Sequence, residues 1–213
     1  MGMNTTIYLI RHGQSQSNVE GIFAGHLDTP LSELGEKQAE LLKEYLLTQK
    51  IDAVYSSDLM RAKATVTPYA TQVGLPVITD RNLREIYGGD WEGKEYALLP
   101  ELYPVEYGKY WLADTENTAI PNGETVKASM QRAIDTITRI AKDNLGRSIA
   151  IATHGGIIRG FESKANDKKW SDVSWVQNAS VTKVVFEDGK FTTLERNINA
   201  YLGEQTSFLP KGV

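Results

Sequence analysis

Thr6-Ile7-Tyr8-Leu9-Ile10-Arg11-His12-Gly13 is the stretch on which the reading of the fold turns. Its first five residues are apolar, β-branched or aromatic, the composition of a strand buried on both faces. The run stops abruptly at Arg11-His12-Gly13, so two cationic or titratable side chains and a glycine stand at the carboxyl end of a buried strand. A strand of this kind belongs to a parallel sheet covered by helices.

Working outward, helices and strands alternate. Ser32 is placed to cap a helix with Ala39, Leu42 and Leu46 on one face. Ile51 to Tyr55 reads as a second strand, and Asp58 as the cap of a helix carrying Leu59, Ala62 and Val66. Pro68 is expected to kink or end that helix. Leu75 to Thr79 reads as a short third strand. A long helix is predicted from about Thr125, with Val126, Met130, Ala133, Ile137, Ile140 and Ala141 on its buried face. Ser148 to Thr153 reads as another strand, ending at His154-Gly155-Gly156. Val181 to Phe186 and Phe191 to Glu195 read as a hairpin around Asp188-Gly189. Residues 94–122 break the pattern: Tyr96, Tyr103, Tyr107, Tyr110 and Trp111 mark a partly helical inserted cap. The alternation predicts an α/β fold, a sheet mostly parallel with helices on both faces. No repeat or flexible linker divides residues 1–213, which read as one domain with that insertion.

Composition bounds the function. The 213 residues are 41% hydrophobic and 23% charged, an ordinary globular balance, with a net charge of −4. No basic run recommends nucleic acid as a partner. The absence of cysteine excludes disulfides, thiolate zinc sites and cysteine-based phosphatases. No apolar run reaches the roughly 18 residues that span a bilayer, and the residues from Met1 to Thr6 lack the regions of a signal peptide. Gly2 and Thr6 fit the loose N-myristoylation pattern, but no polybasic segment supports it. A cytoplasmic protein without a membrane partner is the expectation. The exposed faces of the cap and final hairpin could support a homodimer, though nothing in the pattern requires one.

In an open parallel sheet, ligands sit beyond the carboxyl ends of the strands. His12 and His154 both occupy that position, each followed by glycine. Arg11 precedes His12, and Arg61 opens the helix after the second strand. Two imidazoles and two guanidiniums at one rim suit phosphate, since arginine offers its oxygens a planar fork of donors. A neutral imidazole can also attack phosphorus and hold the group covalently. The leaving alcohol needs a proton donor and water needs a base; Glu85, after the third strand, is the candidate for both. Gln14 and Ser15 could bind phosphate or shape their loop. His26 reads as a loop residue near the entrance.

Sharper-looking motifs fail. Gly88 to Lys94 has nearly the spacing of a P-loop, but Glu95 stands where a magnesium-binding Ser or Thr is needed. Gly13-Gln14-Ser15-Gln16-Ser17 lacks the last glycine of a nucleophile elbow. The three histidines show no metal-ligand spacing, so neither metal nor other cofactor is expected.

Arg11-His12-Gly13-Gln14-Ser15 with Asn18 resembles the signature of the histidine phosphatase superfamily, also called phosphoglycerate mutase-like. Gly25 to Ser32, Ser56-Ser57-Asp58-Leu59-Met60-Arg61-Ala62, Trp91-Glu92-Gly93, Asn122-Gly123-Glu124-Thr125, Thr153-His154-Gly155-Gly156-Ile157-Ile158-Arg159 and Asn178-Ala179-Ser180 resemble its later motifs in order. The resemblance implies a three-layer α/β/α sandwich, mostly parallel with an antiparallel edge strand. It implies His12 as the phosphorylated nucleophile and Glu85 as acid and base. Arg11, Arg61, His154 and Asn18 would hold the phosphoryl group, with Ser15, Gln14 and Gly155 beside it and no metal. Trp91-Glu92-Gly93-Lys94-Glu95 looks like the phosphatase branch, implying hydrolysis of a small phosphorylated metabolite. The alternatives are a mutase of the phosphoglycerate type, which returns the group to its substrate, and a non-catalytic phosphate-ligand binder.

Overall fold

The structure, a computed structural model, describes residues 4–208. Gly2, and with it the myristoylation pattern, lies outside them. The elements are β1 (Thr5–Arg11), α1 (Gln16–Glu20), α2 (Glu33–Leu47), β2 (Ala53–Ser56), α3 (Met60–Val73), β3 (Val77–Thr79), α4 (Leu99–Leu102), α5 (Pro104–Gly108), α6 (Val126–Asp143), β4 (Ser148–Thr153), α7 (Gly155–Ala165), β5 (Val181–Glu187) and β6 (Lys190–Ile198).

The six strands form one sheet in the order β3-β2-β4-β1-β5-β6. β1, β2, β3 and β4 are parallel neighbours, while β5 runs antiparallel to both β1 and β6. β5 is therefore the one reversed strand of the six, placed one position in from the edge, and β6 closes the sheet running in the same direction as β1. The turn between β5 and β6 uses Asp188 and Gly189, both at positive φ (49° and 78°), the backbone that closes a two-residue hairpin.

Side chains alternate across a strand, and β1 uses both faces. Ile7 and Leu9 join Ile137, Ile140, Ile157 and Phe161 from α6 and α7. Tyr8 and Ile10 join Leu42, Leu46, Val66 and Tyr69 from α2 and α3. These two cores make the α/β/α sandwich. A third cluster, with Phe23, Trp91, Leu99, Tyr110 and Met130, packs residues 94–122 as short helical turns beside the sheet's carboxyl ends. One of these turns, Lys109–Ala113, is π-helical.

One local expectation fails. Asp58 does not cap α3, whose N-cap is Leu59 with no side-chain bond. Asp28 instead accepts the Met60 N–H at 2.7 Å from another loop. Asp58 is held by Arg84 through two bonds of 2.7 Å. Pro68 does not end α3, which continues to Val73. The carbonyl that Pro68 cannot bond belongs to Ala64, four residues back. Both residues lie on a half-exposed face, where water can satisfy it.

Candidate active site

β1 and β4 pair in parallel with Arg11 opposite Thr153, so the next residues, His12 and His154, leave the sheet side by side. Their rings meet edge to face with centroids 5.1 Å apart. Arg61 enters from the first turn of α3. Glu85 follows β3, in a loop tied to β4 by the Thr153 hydroxyl, which donates to the Leu83 carbonyl at 2.7 Å. Arg11, His12, Asn18, Arg61, Glu85 and Gly155 line a common cavity of about 70 Å³. A wider groove of about 870 Å³, between α2 and α3, has Met60, Ala64 and Pro68 among its lining residues and none of these groups. The small cavity is the chemical centre because the charges converge there.

The orientation of His12 is fixed. Its Nδ1 lies 2.7 Å from the Gly13 carbonyl. A carbonyl only accepts, so Nδ1 is the donor and the Nε2 lone pair is left free. Burial, then the charges of Arg61 and Arg11, push the His12 pKa well below its ordinary value, against the opposing pull of the Gly13 carbonyl. His154 is lowered in the same way, by burial first and then by Arg61 and His12. Both rings are neutral near pH 7, the form a nucleophile requires. His154 is fully buried, and neither ring nitrogen has a partner among the described residues.

The arginines are buried too. Arg11 Nη1 donates to the Val176 carbonyl at 2.6 Å, while its Nε is buried and has no partner among the described residues. Burial lowers the Arg11 pKa to about 10, with Glu85 opposing, so it remains cationic at neutral pH. Arg61 donates to the carbonyls of Leu27 and Gly25, both at 2.7 Å. Each guanidinium is thus gripped by backbone and held in one orientation.

Glu85 is set by two backbone donors, Ile86 N–H at 2.9 Å and Gly156 N–H at 3.0 Å. Asn18 Oδ1 accepts from Ser15 N–H at 3.1 Å and Asn178 Nδ2 at 3.3 Å, which leaves its Nδ2 for a ligand. Gly155 lines the cavity and lets backbone pass close to Arg11 Nε.

Ser15 lines the cavity and Gln14 does not, and both side chains are also engaged in their own loop. Ser15 caps α1: its Oγ accepts the Asn18 N–H in a reciprocal capping box. Gln14 is absent from the cavity lining, and its Oε1 accepts from the Ser32 hydroxyl at 2.8 Å. Each of these bonds helps to shape the loop. His26 supports Glu85 from behind, with Nε2 2.8 Å from the Glu85 carbonyl.

Arg132 was not legible in the sequence. It donates to the carbonyls of Asn82, Arg84 and Glu85 and pairs with Glu124 at 2.7 Å, so it clamps the Glu85 loop. Trp175 also lines the cavity, a lone loop tryptophan that no pattern singles out. Among the described residues, no group of three or more His, Cys, Asp or Glu gathers as metal ligands.

A model of the histidine phosphatase superfamily (branch 1) matches residues 7–199. Phosphoglycerate mutase-like protein 4 of Arabidopsis thaliana is 35% identical over 209 residues, 97% of this chain and 90% of that protein. The metal-independent phosphoserine phosphatase of the same plant is 32% identical, over 88% of this chain and 79% of that protein. Among solved structures, Bacillus stearothermophilus YhfR superposes with a TM-score of 0.88 at 29% identity, covering 93% of this chain and 99% of that one. Mycobacterial glucosyl-3-phosphoglycerate phosphatase does so with a TM-score of 0.81 at 28% identity, covering 92% and 99%.

Proposed function

We propose, from the premise that this chain belongs to the histidine phosphatase superfamily and is a phosphoric monoester hydrolase of it, that the phosphoryl group passes through His12. The substrate's phosphoryl oxygens lie against Arg11, Arg61, His154 and Asn18 Nδ2, with the ester oxygen toward Glu85. The His12 Nε2 lone pair attacks phosphorus. The P–N bond forms as the P–O bond to the leaving group breaks, and the protonated carboxyl of Glu85 gives its proton to the departing oxygen. The Glu85 carboxylate then takes a proton from water, whose oxygen attacks phosphorus. The P–N electron pair returns to Nε2, inorganic phosphate leaves, and Glu85 is protonated again. Fixed cationic and neutral donors stabilise the charge spread over the equatorial oxygens without reorganising.

It is the orientation of His12 that supports this reading most directly: Nδ1 donates to Gly13, and Nε2 is free. The leaving group belongs to a small phosphorylated metabolite in the cytoplasm, in the broad class that includes phosphoserine and glucosyl-3-phosphoglycerate, named for the relatives. Hydrolysis of p-nitrophenyl phosphate in excess EDTA tests the reading. The wild type is expected to turn over and His12→Ala to be inactive. Substantial activity in the variant would sink the phosphohistidine route, and loss of wild-type activity in EDTA would point to a metallohydrolase. Phosphoglycerate interconversion separates a mutase.

A further inference from the structure

A phenol without a partner stands among the phosphoryl-binding side chains. Tyr96 comes from the inserted segment and lines the cavity together with Arg11, His12, Arg61 and Glu85. The residue is anchored. Its ring packs on Phe23 with centroids 5.2 Å apart, and its N–H donates to the Gly21 carbonyl at 2.9 Å. A backbone bridge joins the preceding Glu95 to Ile22. The hydroxyl makes no hydrogen bond among the described residues. Tyr103, from the same segment, shows a satisfied phenol: it donates to the Asp90 carbonyl at 3.2 Å.

Tyr96 is partly exposed and its hydroxyl has no protein partner among the described residues, so its hydrogen bond is open to a ligand that supplies an acceptor in the cavity. Burial raises the Tyr96 pKa, and Glu85, Arg11 and Arg61 are its charged neighbours. The phenol therefore stays protonated and is a donor at neutral pH. Part of each guanidinium is already engaged by carbonyls. A neutral donor adds to their hold without crowding another charge into the site.

The geometry points to Tyr96 as a further phosphoryl ligand, its hydroxyl donating to a non-bridging oxygen that Arg11 and Arg61 also face. The inserted segment then contributes to oxyanion stabilisation as well as forming a wall. This deepens the reading above and rests on the cavity being the phosphoryl site.

Tyr96→Phe removes one oxygen. Orthovanadate binding to wild type and variant, measured by calorimetry in EDTA, tests the assignment, with kcat/KM for p-nitrophenyl phosphate and the thermal midpoint taken alongside. Vanadate affinity is expected to fall about tenfold and kcat/KM by about ten- to a hundredfold, with a midpoint close to that of the wild type. A purely structural role would lower the midpoint and leave vanadate binding intact. Unchanged vanadate affinity in the variant overturns the assignment, as does a wild type that binds no vanadate. The nucleophile reading is tested separately, by His12→Ala turnover. Retained turnover there would refute that reading and leave the vanadate comparison valid.

Discussion

The carboxylate of Glu85 accepts the backbone N–H of Gly156 at 3.0 Å, and a Cβ on residue 156 would stand 2.3 Å from its Oε1. The first turn of α7 therefore both holds the proposed acid and requires glycine beside it. Gly156→Ala is expected to push the carboxyl aside and lower kcat by about a hundredfold, as misplacements near 1 Å do. Inorganic phosphate should still bind, since the arginines are untouched. Steady-state kinetics with product inhibition would check this, and an unchanged kcat would detach Glu85 from the chemistry.

Glu85→Gln should separate substrates by leaving group. Alkyl phosphates need protonation of a poor leaving oxygen and are expected to lose about 10²- to 10⁴-fold in kcat/KM. Aryl phosphates, whose phenolate leaves readily, should lose less. Equal losses on both would move the acid role elsewhere. Glu92 would be the nearest candidate in sequence, but its Oε1 already accepts from His26 N–H at 2.7 Å and Gly88 N–H at 2.9 Å.

Arg132 acts on the site through the Glu85 loop. Arg132→Met would strand the Asn82 and Arg84 carbonyls and take one partner each from the Glu85 carbonyl and Glu124. The expected loss of stability is about 1–3 kcal/mol. Because the phosphoryl ligands stay in place, kcat should fall with little change in KM, and Arg132→Lys should recover part of it. A variant that loses stability but keeps kcat would make the clamp purely structural.

His12 and His154 are held neutral, their pKa values well below the ordinary 6.5. Above that value neither the native nor the unfolded chain carries the extra protons, and the shifts contribute nothing. As pH falls through 6.5, the unfolded chain takes them up and the native chain does not. Stability drops, by up to about 1.4 kcal/mol per pH unit for each histidine. His154→Asn should remove one such increment. Urea unfolding of both proteins between pH 7 and pH 5 measures it, and identical slopes would contradict the buried, neutral assignment of His154.

What the sequence determined by itself is local in origin. The apolar run of β1, the apolar face of α6 repeating at helical spacing, and Asp188-Gly189 between two strands are each read from neighbouring residues. Periodicity and turn chemistry act over a few residues, so the α/β class and both strand-end histidines could be read directly. The motifs carried the site through resemblance.

The tertiary structure decided what distant residues do for one another. The register of β1 against β4 brings His12 to His154. Asp28, thirty-two positions from Met60, caps α3 in place of Asp58. Pro68 stays within α3 because the Ala64 carbonyl that it cannot bond lies on a half-exposed face. Ser15 and Gln14 hydrogen-bond to Asn18 and Ser32, and of the two it is Ser15 that lines the cavity. Arg132 braces Glu85 across some fifty positions, and Tyr96 reaches the phosphoryl cavity from an inserted segment. None of these leaves a period or a short spacing behind. Each is a contact between side chains and backbone groups that only chain folding brings within hydrogen-bond range, and such contacts depend on packing geometry, not on the identity of adjacent residues.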